Sequence, residues 1–538
     1  MSTRAPSVSS VGQTLAAAAR RASWLLAFAA SLLAASGCSV IVNTDPRDAC
    51  TSSKECTARF GEPSACVNAQ CTKLLTPECT EVWPANAMSQ DNVMLIGFMG
   101  ALAGEFASYG TPTKEGAELA LQEIEVLGNG LSAPTNSSGQ RHLAMLVCDH
   151  ASDPSRVARH LVESAHVPVI IGDSFSSATL TMFDQVARPA GVLVLSPSAT
   201  SPALTAHDDA GLLWRTSPSD VVQAEALKFL VVDVQDALRK TGVLKEDQRA
   251  TIAMPTKSDS AGLGLARAAT AVNTEVPNPA PAVNPDVPDE YADPGKETVN
   301  WDDHIQNILR RPPNIILAMG TGEFVSSMMK GIEDGWNPSL PRPWYLLPEG
   351  DRVTELSDLV AKSPDYRLNE RILGTAPGAR RSDLYSSFER SFRGAFGNRD
   401  PGNLAEFGYD AAYLVAYAIA IANRASPTGQ ELAAAMRNVS CKGKTTVPAG
   451  STGFSGYFKT AEIDGCIDFE GASGPLDFNP DTGEALSDIG MWCLRRNGST
   501  FGFEPPLQSF YSVKASGIKT DDNALPLDLS QPGWCADQ

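Results

Sequence analysis

Residues 142–202 read HLAMLVCDHASDPSRVARHLVESAHVPVIIGDSFSSATLTMFDQVARPAGVLVLSPSATSP. Three apolar runs punctuate this stretch: His142–Val147, Val169–Gly172 and Val192–Leu195. The last two are short and continuous, the pattern of strands covered on both faces. Between the first two lies Asp153-Pro154. Asp can cap the free amides of a helix start, and Pro is preset for its first position. Val157, Leu161 and Ala165 then recur at helical spacing. Strand, helix, strand, helix, strand predicts a parallel sheet with helices on both faces, an α/β fold.

Working outward, Val93–Gly97 is an earlier strand, and Ala117, Ala120, Leu121 and Ile124 stripe the helix after it. Beyond Arg215 the alternation resumes. Ala250–Met254, Ile315–Met319 and Trp344–Leu347 read as strands, with helices around 221–232, 262–272 and 322–334. Residues 274–298 carry six prolines and read as an exposed loop. Helices are expected at 382–397 and 404–425. Strand-like pieces follow at Leu476–Phe478 and Ile489–Leu494. No internal repeat of solenoid period is present.

The N-terminus reads as an export signal. Arg20 and Arg21 precede an apolar run from Trp24 to Ala35, then Ser36, Gly37 and Cys38. A basic flank, a short apolar core and small residues before a cut site describe a secretory leader. The core is about 12 residues, short of the ~20 a spanning helix needs. Cysteine usage agrees with export. The chain has 11 cysteines. With Cys38 set aside, an even number remains for disulfides. A local cluster runs from Cys50 to Cys79, and the tail holds Cys441, Cys466, Cys493 and Cys535. Cys79 is a possible partner for Cys148, because it precedes the strand neighbouring Cys148's own. No C-x-x-C pair occurs and no His lies in the cluster, so no metal site is expected.

Over 538 residues the net charge is −19, which argues against a nucleic-acid groove. No phosphate-cradling loop, zinc-protease or Cys-protease pattern is present, and no cofactor motif.

Further resemblances rest on particular residues. Ala35-Ser36-Gly37-Cys38 resembles a bacterial lipobox, with Ala35 where Leu is usual. That implies a lipidated Cys38 and a membrane attachment, and Ser39 after it favours the outer membrane. Ile96-Gly97 through Gly104, Ser108-Tyr109-Gly110, Asp149 to Pro154, Gly172 to Thr179, Ser196 to Pro202, Arg215-Thr216 with Pro218 and Asp220, Pro348-Glu349-Gly350 and Tyr409-Asp410-Ala411-Ala412 occur in one order. Together they resemble the leucine/isoleucine/valine-binding proteins, the type I periplasmic ligand-binding proteins of ABC transporters.

That resemblance implies two lobes, each a doubly wound parallel sheet, joined by three crossings. The implied division is a signal at 1–37, a Cys-rich stalk at 38–90, lobe 1 at 91–216 and 374–440, and lobe 2 at 217–373. Residues 441–538 would complete lobe 2 and form the tail. It implies a non-enzymatic protein that binds a small amino-acid-like molecule between the lobes, without a cofactor, and delivers it to an ABC permease. Ser176, with Ser177 as the alternative, the Ala199 backbone and Thr200 would hold the ligand carboxylate. Glu349 would hold the ammonium, and Tyr109 would flank the ligand. Two family tyrosines are missing, near Ala261-Gly262 and near Gly320-Thr321-Gly322, so a roomier and less aromatic second-lobe wall is expected.

Rival functions remain. Gly172-Asp173-Ser174-Phe175-Ser176 resembles the nucleophile block of a serine esterase family. The late Asp-x-x-His which that chemistry needs as base is absent from all six histidines. Two further rivals are a ligand sensor and an interaction lipoprotein with a degenerate cleft, such as a regulator of cell-wall synthases.

Overall fold

The computed structural model describes residues 49–134, 138–150, 153–272, 280–378, 382–450, 454–504, 510–514, 517–520, 529–530 and 534–535. The expected leader and Cys38 lie outside these residues. The chain divides into two compact units, Met1–Ala49 and Cys50–Gln538; the second contains both sheets. No helix among the described residues is long and apolar enough to cross a membrane.

Two nine-stranded sheets form the two lobes. In lobe 1 the parallel core runs Gln140–Asp149, Val93–Gly100, Val169–Ile171, Leu193–Ser196, Leu213–Arg215. In chain order this is 2-1-3-4-5, a doubly wound arrangement. In lobe 2 it runs Val287–Tyr291, Ile252–Lys257, Ile315–Leu317, Trp344–Leu347, Ile372–Pro377, again 2-1-3-4-5. Alternate residues of these strands feed opposite faces. Ile252, Met254, Ile315 and Leu317 pack against Leu227, Leu230 and Leu265. Ala253, Ile316 and Tyr345 pack against Ile308, Phe324 and Met328. The chain passes between the lobes three times: between Arg215 and Asp220, between Pro377 and Asp383, and between Ala485 and Ile489.

The structure redraws four boundaries. Cys79–Trp83, expected in the stalk, is an edge strand of lobe 1. Its pairing with Gln140–Asp149 satisfies that strand's outer ladder, and Cys79–Cys148 staples it. Residues 446–485, expected in lobe 2, pack on lobe 1, because Val447, Phe458, Phe469 and Leu476 bury against its helix Ala405–Ala422. Only Ile489–Asn497 and the pieces after it join the lobe 2 sheet. Ile372–Pro377 lies wholly in lobe 2, paired on both sides. Finally, the proline-rich 274–298 is not all loop. Val287–Tyr291 is a strand, and it tolerates Pro288 because it has a partner on one side only.

The remaining disulfides are Cys50–Cys66, Cys56–Cys71, Cys441–Cys466 and Cys493–Cys535. Cys56–Cys71 ties a helix, Ser53–Phe60, to a hairpin, Ser64–Val67 with Gln70–Lys73, and Cys50–Cys66 ties the chain just before that helix to the same hairpin. A unit this small has too little core to hold its shape without such staples.

Candidate functional site

In a 2-1-3-4-5 sheet, ligands bind beyond the carboxyl ends of strands 1 and 3, where the order reverses. In lobe 1 those ends are Gly100–Ala101 and Gly172–Ser176. In lobe 2 they are Lys257–Gly262 and Gly320–Glu323. The last three line one cleft between the lobes, and Gly100–Ala101 backs it, the Ala101 N–H donating to Ser174 Oγ.

Lobe 1 builds its side by close backbone approach. A Cβ on Gly110 would lie 2.1 Å from the Ala101 carbonyl oxygen. Glycine there lets the helix Ala107–Gln122 sit against the strand end and carry Tyr109 into the cleft. The Ser196 hydroxyl donates to the Asp173 carbonyl (2.9 Å) and accepts the Ala199 N–H (3.0 Å). Ser198 donates to the Ser174 carbonyl (3.0 Å). The Ser176 hydroxyl accepts the Ser201 N–H (3.1 Å). Beneath this loop lies Arg215, 1% exposed, donating to the carbonyls of Ala199 (3.2 Å) and Ser201 (2.9 Å) and paired with Glu484. Arg215 therefore positions the loop; its charge is already spent.

Lobe 2 contributes two acids. Asp220 opens the helix Asp220–Lys240, whose N-cap is Ser219. Its N–H donates to the Thr200 carbonyl (2.8 Å), and the nearby Thr200 side chain favours its ionised form. Glu349 stands where the strand Trp344–Leu347 ends. Both are buried, and among the described residues Asp220 Oδ2 and Glu349 Oε2 have no hydrogen-bond partner. Burial, then the nearby charge of Glu349, pushes Asp220 up to about 8. Burial also raises Glu349. The Tyr109 hydroxyl is raised by burial, then by Glu349 and Asp220, so it stands in the field of both acids.

Tyr109, Ser176, Thr200, Asp220 and Glu349 line one space, together with Phe175, Ala261, Gly262 and Thr321. The other two expected residues fall differently. Ala199 is fully buried behind the lining, with its N–H taken by Ser196. Ser177 sits half-buried on the helix Ser176–Met182, outside the lining. An adjoining space is walled by Phe106, Tyr109, Phe175 and Trp301. The cleft is thus more aromatic than the missing tyrosines imply, because Trp301 of lobe 2 supplies a ring from elsewhere in the sequence. Among the described residues, no Lys, Arg or His lines either space.

Sequence reasoning gave no ligand role to Asp220, Phe106, Phe175 or Trp301, although Asp220 belongs to the crossing motif and Phe175 to a ligand loop. Only the fold brings Asp220 to Glu349. Across the cleft, Ser201 Oγ donates to the Ser260 carbonyl (2.6 Å) and Arg352 donates to Asn403 Oδ1 (3.1 Å). The serines of the esterase-like block are occupied otherwise: Ser174 Oγ accepts the Ala101 N–H (3.0 Å). Among the described residues neither Ser174 nor Ser176 is hydrogen-bonded to a histidine, although His150 does meet Asp173 at 2.9 Å.

Comparison with known proteins agrees with this architecture. A family model described as "Periplasmic binding protein" matches residues 94–464. The Leu/Ile/Val-binding protein BraC3 of Rhizobium johnstonii is 31% identical over 144 residues, 26% of this chain and 36% of that protein. The Leu/Ile/Val-binding protein of Escherichia coli K12 is 30% identical over 153 residues, 28% and 38% of the two lengths. The alignments thus span less than two fifths of these two relatives. The structure of a branched-chain amino acid transporter substrate-binding protein, LivJ of Streptococcus pneumoniae with isoleucine, superposes with TM-score 0.52 at 19% identity, over 77% of this chain and all of that one. A solute-binding protein from R. palustris with benzoate gives 0.54 at 17% identity, over 80% and 99%. At these identities the structural likeness is one of fold.

Proposed function

The chain belongs to the periplasmic binding protein family, in its Leu/Ile/Val-binding-like branch, and on that premise we propose that it is an extracytoplasmic solute-binding protein for a small ammonium-bearing, amino-acid-like ligand. One observation carries this reading. Asp220 and Glu349 are desolvated acids, each with an oxygen that is unpartnered among the described residues, and no described cationic side chain lines the space they share. A buried acid without a partner is costly, and an ammonium between the two would supply charge-assisted hydrogen bonds to both. A ligand carboxylate would be met from lobe 1 by Ser176 and Thr200, and Tyr109 would flank the ligand. Ala199 enters this reading as support for the loop.

Delivery to an ABC permease follows from the family, as does a place outside the cytoplasm. We include in the proposal that Cys38 carries the lipid anchor and that residues 1–37 are removed. Intact-mass analysis of membrane-extracted protein tests that part: an unmodified Cys38, or another N-terminus, contradicts it.

The cleft itself is tested by calorimetric titration of amino acids and amines into wild type, Glu349→Gln and Asp220→Asn. The expected result is a binder whose affinity falls roughly a hundredfold or more in Glu349→Gln, because one partner of a buried ionic contact is lost. A binder indifferent to both substitutions overturns the ammonium assignment. A chain that binds nothing in a broad panel favours an interaction lipoprotein instead.

A further inference from the structure

The space between the two acids is small. Its free volume is about 20 Å³, and a water-sized group needs roughly 10–15 Å³ by this measure. An ammonium fits; the rest of an amino acid does not. Tyr109, Phe175 and Thr321 line this space and also a second one of about 290 Å³. The ligand's body would therefore extend into this second space.

The walls of the larger space say what that body is. On the lobe 1 side Phe175 stacks on Tyr109, centroids 5.2 Å apart and planes 14° from parallel, and meets Phe106 edge-on at 5.5 Å. From lobe 2 comes Trp301, held edge-on by Tyr291 at 5.3 Å. Phe106, Phe175 and Trp301 face this space together, and Phe175 and Trp301 each keep part of their surface uncovered. Rings offering faces and edges across a gap suit another ring, whose quadrupole they complement. A dry apolar cavity of about 150 Å³ already takes a benzene ring. A second cation is a poorer occupant. Two acids line the space: Glu323, whose carboxylate already accepts the Tyr291 hydroxyl and both the N–H and hydroxyl of Thr321, each at 2.9 Å, and Glu355, which is exposed to solvent.

We propose that the ligand is a primary ammonium compound with an aryl body: its ammonium sits between Asp220 and Glu349, and its ring lies between Phe175 and Trp301. This rests on the ammonium reading of the cleft and adds the class of side group. Aromatic amino acids and arylalkylamines share this chemistry. They differ in the carboxylate, for which lobe 1 has few donors left. The Ala199 N–H serves Ser196, which leaves the Ser176 and Thr200 hydroxyls.

Titration calorimetry on the full chain tests this with phenylalanine, phenethylamine, leucine, isopentylamine and 3-phenylpropionate. We expect each aryl amine or amino acid to bind about tenfold more tightly than its aliphatic counterpart, the increment of one good ring contact. Trp301→Ala should erase that preference, and Trp301→Phe should restore part of it. Phenethylamine equal to phenylalanine identifies an amine ligand; phenylalanine alone identifies an amino acid; either supports the proposal. Leucine matching phenylalanine, or a preference that survives Trp301→Ala, overturns it while leaving the ammonium reading intact. Tight binding of 3-phenylpropionate overturns both.

Discussion

Asp220 and Glu349 are two acids in a space with room for one cation. With Asp220 raised from 3.8 to about 8 by burial and by Glu349, the ligand-free protein holds a proton that the unfolded chain gives up near pH 4. Its contribution to stability is therefore present below about pH 4 and is lost as the pH rises through about 8. Ligand binding runs the other way. An ammonium favours the ionised pair, so binding releases a proton, and affinity rises between about pH 5 and 8. Titrations in buffers of different ionisation enthalpy read this directly; proton uptake, or no exchange at about pH 6, contradicts it. Asp220→Asn should reduce the pH dependence to the part that Glu349, itself raised by burial, still carries. Ser176→Ala should weaken an amino acid but leave a carboxylate-free amine unaffected; equal losses for both ligands would deny Ser176 a carboxylate role.

At the scale of elements, strands buried on both faces were the most legible. Val169–Ile171 and Trp344–Leu347 are short uninterrupted apolar runs, buried along their whole length. The edges were not legible. Val287–Tyr291 hides among prolines and alternates buried ends with exposed positions. Cys79–Trp83 sits inside a cysteine cluster that reads as stalk. Both obey a neighbour's ladder more than their own composition. The same limit explains the site. Glu349, Ser176 and Thr200 stand in recognisable loops, whereas Asp220 and Trp301 acquire their roles only when the lobes meet. The edge strand gives a prediction of its own. Cys79–Cys148 closes a loop of 69 residues, and chain entropy alone assigns such a link about 4 kcal/mol. Cys79→Ala with Cys148→Ala should therefore lower the denaturant midpoint and speed amide exchange along Cys79–Trp83. An unchanged midpoint and unchanged exchange would show that the strand is held by its hydrogen bonds alone.

The whole molecule is two copies of one sheet order facing each other across three crossings, with the ligand space at both reversal points. Lobe 1 supplies Tyr109, Phe175 and Ser176, and lobe 2 supplies Glu349 and Trp301. A ligand read by both lobes stabilises the closed form over an open one by population shift. Small-angle scattering should show a smaller radius of gyration on addition of a bound ligand; identical curves would mean that the closed cleft needs no ligand. The central claim is narrower: an ammonium is what the cleft recognises. Calorimetric comparison of an amino acid with its 2-hydroxy-acid analogue, which swaps the ammonium for a hydroxyl and keeps the rest, tests it most directly. The account predicts that the amino acid binds and the hydroxy acid is weaker by roughly a hundredfold or more, since two buried acids would then face no cation. Equal affinity for the two would contradict it.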